Sequence, residues 1–282
     1  MSRIFLKVCK FNIVFIFLII SSQSLLNAQV LLDGSFNARV AGLGNILSIQ
    51  NGNYALGANQ AGMTSLESFS ANAYFERRFL SQELNVLGFG AALPVKSGVF
   101  GISVRHLGFD LWQEQMAGIS YARKLAKNLS LGAQIDFYNL DLQEYGSQQT
   151  FTFELGLQLE ASENLILGFY TVNPVRSKLA EDAYLPAFLA LGAAYQLNKS
   201  LSLMAEIQQN LDENTYVKAG LAYKIIDDLE ARLGFQSKPS LFSFGLAYMT
   251  KFDLGLEMSV IYHQVLGLTP AIGVVYNGEK DN

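Results

Sequence analysis

From about residue 68 onward, apolar and polar positions alternate one by one in segments of roughly ten residues, the period-2 signature of strands with two unlike faces. Between 129 and 137 the apolar positions are Leu129, Leu131, Ala133, Ile135 and Phe137, with Ser130, Gly132, Gln134 and Asp136 between them. Phe151, Phe153, Leu155, Leu157 and Leu159 repeat the pattern. Fourteen such segments start near residues 68, 84, 98, 112, 129, 149, 165, 185, 201, 215, 229, 241, 254 and 268.

The connections alternate in character. One set is short and polar, such as Lys127-Asn128, Asn198-Lys199-Ser200 and Asp227-Asp228; the other is longer on average, notably from Asn173 to Tyr184. Strands restarting after Asn128, Asn164 and Ser200 lie 36 residues apart, so the repeating unit is a hairpin with its two connections. Later spacings are too irregular for a solenoid. The five prolines fall in loops or near strand ends, where a missing backbone donor is tolerated. Thirteen of the 24 glycines sit on the less apolar strand face, which leaves room for something packed against it.

Alternation does not say which face points inward. Fourteen strands enclose a wide lumen suited to polar side chains, which puts the apolar face outside, in lipid; two stacked soluble sheets are the alternative. Arg105, Asp136, Glu154, Glu206, Lys218, Arg232 and Glu257 lie within strands and share the face opposite the apolar positions. Turning that set into lipid would cost on the order of 10 kcal/mol, as much as a typical domain's whole stability. Aromatic residues near strand ends, Phe69, Phe75, Phe79, Phe137, Tyr223, Tyr248 and Tyr262, fit interfacial girdles. Arg77 is the exception, on the apolar face near a strand end. The expected fold is all-β: a transmembrane antiparallel barrel of about fourteen strands over 68–277, with a tail at 278–282.

Composition agrees. Half of the 282 residues are hydrophobic and 16% are charged, which excludes a disordered chain. Arg3, Lys7 and Lys10 precede the apolar run Ile13–Ile20, and Leu26-Asn27-Ala28 follows. That is a secretory signal peptide over 1–28, cleaved after Ala28, with a signal-anchor as the alternative. Cleavage removes three basic residues and the single Cys9, leaving 17 Lys and Arg against 24 Asp and Glu, a charge of −7. An exported acidic chain is a poor nucleic-acid binder. No phosphate loop, zinc spacing or nucleophile elbow is present. His106 and His263, on strands three and thirteen, read as interfacial or loop residues rather than partners of Ser103 or Asp110 in a hydrolase. No catalytic residue, cofactor or metal is expected. The lumen carboxylates are expected to pair with Arg105, Lys218 and Arg232 or to hydrogen-bond the segment before the first strand, since buried charges need partners. A selective channel lining is the alternative.

Residues 29–67 do not alternate well and are rich in glycine and asparagine, which favours tight, locally hydrogen-bonded backbone. Val40, Leu43, Ile46, Leu47, Ile49 and Leu56 are too apolar for a solvated tail, so a plug inside the barrel is expected rather than a mobile extension. Ala38-Arg39-Val40-Ala41-Gly42-Leu43-Gly44, Asn53-Tyr54-Ala55-Leu56 and Asn59-Gln60-Ala61-Gly62 resemble the start of PorV/PorQ proteins, members of the wider group of FadL-like outer-membrane barrels. Gly108-Phe109, Tyr121 to Leu125, Leu129 to Gly132 and Val172-Asn173-Pro174 extend the resemblance over most of the exported chain. Gln60 stands where the family usually has proline, and the large extracellular loops expected of cargo-binding or fatty-acid-capturing members are missing.

The resemblance implies fourteen strands, an N-terminal lumen plug carrying Gly42, Gly44, Asn59, Ala61 and Gly62, and a Bacteroidota-type outer membrane. It also implies a non-enzymatic accessory of type IX secretion, whose partners are outer-membrane lipid and secretion-translocon proteins or cargo C-terminal signal domains. The alternative is a FadL-like transporter of hydrophobic small molecules gated by the plug.

Overall fold

A computed structural model describes residues 34, 36–181, 183–211 and 215–278; the expected signal peptide and the last four residues lie outside them. The strands are β1 (Ser70–Arg77), β2 (Asn85–Val95), β3 (Gly98–Phe109), β4 (Trp112–Ala126), β5 (Leu129–Leu142), β6 (Gly146–Ser162) and β7 (Leu165–Val172). They continue with β8 (Phe188–Gln196), β9 (Leu201–Asn210), β10 (Thr215–Ile226), β11 (Leu229–Ser237), β12 (Ser240–Met249), β13 (Leu254–His263) and β14 (Gly267–Asn277). Each is antiparallel to its sequence neighbours, and β1 pairs with β14 from Ser70↔Asn277 to Glu76↔Ala271. This is one closed fourteen-stranded barrel, which excludes two stacked sheets and leaves no unpaired sheet margin along its closing seam. No strand starts more than three residues from the position that alternation gives it.

The apolar face is outside. Ile119 and Ile135 are 69% and 65% exposed although each lies mid-strand. Phe100, Leu191, Leu233, Met258 and Ile272 extend the same belt round the barrel. A soluble monomer rarely exposes a contiguous apolar surface of this extent. Arg77 is on this face, with its Nε 3.1 Å from Asn85 Oδ1 and its guanidinium 5.9 Å from the Phe75 ring centroid.

The barrel is uneven in height. Strands β4, β5 and β6 have 15, 14 and 17 residues, whereas β7 and β8 have 8 and 9. One end carries short turns and both chain ends of the sheet; it is called the turn end here. At the other, the loop end, only 78–84 and 173–187 are more than short links among the described connections. The second is a strap, folded on itself by a bridge between Lys178 and Tyr184.

Candidate functional site

The segment before β1 lies within the barrel, and its local structure follows from its sequence. Asn37 Oδ1 accepts the Arg39 N–H at 2.9 Å and caps the single-turn helix α1 (Ala38–Gly42). Asn59 Oδ1 takes the Ala61 N–H at 3.1 Å and caps a 3-10 turn, Gln60–Ser65. Such caps satisfy backbone donors that the turn itself leaves open. Phe36, Val40, Leu43, Ile46, Leu56 and Met63 are buried.

Inward glycines make the seat. All those singled out by alternation face this segment except Gly118 and Gly255. A methyl group on Gly156 would overlap Asn59, and one on Gly234 would overlap the Gly44 backbone. Within the segment, Gly42 meets Gly245 backbone to backbone, and Gly44 has φ +73 with no space for a side chain beside Phe235. Gly62 is equally closed in by the Gln50 carbonyl. Ala61 is fully buried.

Two halves of the lumen hold the segment differently. On the β9–β14 side the contacts are ionic. Lys218 Nζ is 2.9 Å from Glu206 Oε1 and donates at 2.6 Å to the Asn45 carbonyl. Glu206 Oε2 accepts the Leu47 and Ser48 N–H groups at 2.8 and 2.7 Å, and also the Ser48 hydroxyl. Further round, Arg232 pairs with Glu257 at 2.9 Å and with Glu230 at 2.7 Å, and Arg39 of α1 also grips Glu230. The Tyr54 ring lies 4.9 Å from the Arg39 guanidinium and 5.8 Å from that of Arg232. Burial pushes its phenol up to about 12; Glu257 adds to this, while Arg232 and Arg39 oppose it. It stays protonated at neutral pH and donates to Glu257 Oε1 at 3.0 Å.

On the β3–β8 side the contacts are mostly neutral: Gln158 Nε2 donates to the Ser48 and Gln50 carbonyls at 3.2 and 2.9 Å, and the Thr64 and Ser130 hydroxyls are 2.7 Å apart. Gln60 Nε2 and Tyr170 Oη both donate to Glu154 Oε2, and Arg105 lies 3.6 Å from Glu154 Oε1. Arg105 also donates to the Gly34 carbonyl at 2.8 Å. Asn59 Nδ2 donates to the strand carbonyls of Leu157 and Phe169 at 3.1 and 3.0 Å. Asp136 takes a 2.7 Å bond from Gln134 and shares a hydrogen bond with the Glu154 carboxyl, and buried atoms without a hydrogen-bond partner among the described residues occur on both sides, Gln60 Oε1 here and Arg232 Nη1, Glu257 Oε2 and Ser259 Oγ on the other. Buried acceptors left this way weaken a seat, since each forgoes its bond to water without a replacement.

Above this level the inward face of the same strands is largely apolar, although Glu114 of β4 is buried there and hydrogen-bonded to Tyr138. Leu107, Met116, Tyr138, Tyr170, Val172 and Phe188 form one buried cluster, and the strap inserts Leu185 and Leu179 into it beside Trp112 and Leu140. Asn173, fully buried with φ +50, pins the strap. Its N–H donates to the Phe153 carbonyl at 3.0 Å, and its Nδ2 donates to the Leu185 and Pro186 carbonyls at 2.9 and 3.3 Å. Its Oδ1 accepts from Thr152 and from the Ser177 N–H. The opposite side of the loop end is polar and holds a cavity of about 60 Å³ lined by Asn45, Arg78, Lys218, Gln236, His263 and Thr269. A larger open hollow of about 660 Å³ lies at the turn end against Asn51, Tyr54, Glu67 and Asn277.

The seven strand charges are thus all inward and buried, and the structure gathers them into three separate groups rather than one. Alternation did not single out Arg39, Glu230, Tyr54 or the role of Asn173. Glu230 had a readable signal, being two residues from Arg232 on the same strand face. His263 Nδ1 accepts the Val265 and Leu266 N–H groups at 3.1 Å, so it closes a turn. His106 is on the outward side of β3.

No family model matches the sequence, and no curated protein matches it. Solved barrels do share its fold. The toluene transporter TodX of Pseudomonas putida superposes with a TM-score of 0.65 at 15% identity, over 86% of this chain and 97% of that one. The toluene transporter TbuX of Ralstonia pickettii gives 0.67 at 12%, over 86% and 97%. A FadL homologue of Pseudomonas aeruginosa gives 0.62 at 12%, over 86% and 98%. At such identities the likeness is one of fold.

Proposed function

We propose that this chain is an outer-membrane channel for small hydrophobic molecules, with the segment 36–67 as its plug. The observation that carries the reading is the apolar cluster beneath the strap, at the loop end of a lumen that elsewhere also carries buried charges. A wet pore has no use for Leu107, Met116, Tyr138 and Phe188 on its inner wall, whereas an apolar solute gains about 25 cal/mol for each Å² it buries there. Leu179 and Leu185 occupy that space and cover it. The similarity in fold to toluene transporters supports the same reading. The turn end faces the periplasm in this arrangement, as barrels with an even strand number place both termini there.

Below the cluster the plug fills the lumen, so passage requires it to shift. The β3–β8 side, held mainly by neutral hydrogen bonds and lying beneath the apolar cluster, is the side where it yields. The secretion-accessory reading has only the short sequence motifs behind it, and no feature of the site favours it.

The test is uptake of a radiolabelled monoaromatic hydrocarbon by cells expressing the chain, compared with cells carrying an empty vector. Faster uptake is expected, and faster still when residues 36–62 are deleted. Equal uptake in all three would remove the channel reading.

A further inference from the structure

Charge is balanced in two of the three groups inside the lumen and not in the third. Lys218 faces Glu206, and Arg39 and Arg232 face Glu230 and Glu257. Arg105 faces two carboxyls, Glu154 at 3.6 Å and Asp136 beside it. Asp136 of β5 lies opposite Thr152 of β6, and Glu154 opposite Gln134, so the two acids are diagonal neighbours. Both are buried, and their carboxyls are hydrogen-bonded to each other. An ionised carboxylate only accepts, so that bond needs a proton on one of the pair. No N–H or hydroxyl of the described residues donates to Asp136 Oδ2 or Glu154 Oε1. One proton gives both oxygens a partner and brings the group to zero net charge, like the other two. Gly118 makes the room, since a methyl group there would lie 2.5 Å from Asp136 Oδ1.

From this we infer that Asp136 and Glu154 share one proton, and that its loss unseats the β3–β8 side of the enclosed segment. Ionising both leaves two carboxylates in contact, in a buried site, with one cation to serve them. The segment is joined directly to the pair. Gln60 Nε2 donates to Glu154 Oε2, and Asn59 beside it holds the Leu157 and Phe169 carbonyls. A Glu154 carboxylate pushed off its neighbour takes the Gln60 bond with it. Arg105 of β3 and Tyr170 of β7 are the charged or titratable groups facing the pair; β4 presents Gly118, β5 Gln134 and the segment Gln60. Glu114, nearer the loop end on β4, is bonded to Tyr138 instead. A separated, hydrated pair can ionise fully at little cost, so raising the pH favours the loosened form. Glu206 and Glu257 are each matched by a cation, so the β9–β14 side has no such proton to lose. The inference rests on where the segment sits and not on what crosses the lumen.

The test is hydrogen exchange of the full chain in detergent, with amide protection corrected for the pH dependence of exchange itself and followed from about pH 5 to about pH 10. Protection over 57–63 is expected to fall about tenfold or more across that range, while protection over 43–48, on the ionic side, holds. Asp136→Asn replaces the proton with an amide: its Nδ2 donates to Glu154 while its Oδ1 still accepts from Gln134. That variant should keep 57–63 protected at every pH. A parent whose protection is flat, a 43–48 stretch that loosens in step with 57–63, or an Asp136→Asn variant that loosens like the parent overturns the inference. Infrared spectra of the parent supply a second reading that needs no variant. The C=O band of an un-ionised carboxyl should be present at the acid end and vanish over the same interval in which protection falls. Absence of that band, or its loss over a different interval, overturns the inference as well.

Discussion

The β9–β14 half of the lumen and the β3–β8 half hold the same segment by opposite means. On the first, six charged side chains, a tyrosine and two backbone N–H groups form ionic networks, with Arg232 only 1% exposed. On the second, hydrogen bonds from Asn59, Gln60 and Gln158 stand beside the Arg105–Glu154 pair, beneath an apolar cluster that the chain's own strap covers. A paired charge in the interior costs little while its partner stays, and a great deal when the partner leaves; an apolar contact exchanges one greasy neighbour for another at small cost. On the channel proposal, that difference puts the anchor on the first side and the path of least resistance on the second.

The largest expected effect comes from breaking the anchored side. Lys218→Met strands Glu206 without its cation and should destabilise the barrel by about 3–5 kcal/mol, read from urea unfolding in detergent. No change there would mean that Glu206 is held well enough by Leu47 and Ser48. Phe188→Ala opens the apolar side at a cost of about 3 kcal/mol, and saturating toluene should restore part of the loss by filling the void. The same solute should give Lys218→Met nothing back, which makes the pair a direct contrast between the halves.

Asn173→Ala releases the strap rather than the wall. A loss of about 1–3 kcal/mol is expected, seen as faster proteolysis within 174–187 with the gel shift retained; a strap still resistant to protease would show that Leu185 alone holds it. The smallest effect is that of pH on the anchored side. The Tyr54 phenol titrates higher when seated than when free, so its contribution is complete below pH 10 and fades as pH rises towards about 12. Tyr54→Phe should remove that alkaline fade at a cost of about 1 kcal/mol, measured as exchange protection of the segment's amides.

Strand positions were almost fully legible in the sequence, because a period of two with one wet and one dry face has a single solution once fourteen segments must close. The inward charges followed from the same parity. Which charge meets which did not, because pairing depends on strand tilt and register shear: Arg105 on β3 reaches Glu154 on β6, three strands away. Arg39 and Tyr54 were hidden for a different reason. They lie in a segment with no period, and their partners come from strands some two hundred residues later. The strap was visible as a long connection, but its apolar side reads as an ordinary loop until Leu179 and Leu185 are seen against Tyr138 and Phe188.

The seam between β1 and β14 bears on how the protein is made. Every other strand pair joins chain neighbours, so thirteen hairpin steps need only local loop closure, whereas Ser70 must find Asn277 across nearly the whole chain. The enclosed segment immediately precedes β1. It cannot thread into a finished cylinder through a lumen this crowded, so it is enclosed as that last seam zips. The residues just before the first strand therefore become the object around which the sheet is wrapped, with Lys218 and Glu206 bonded to their backbone.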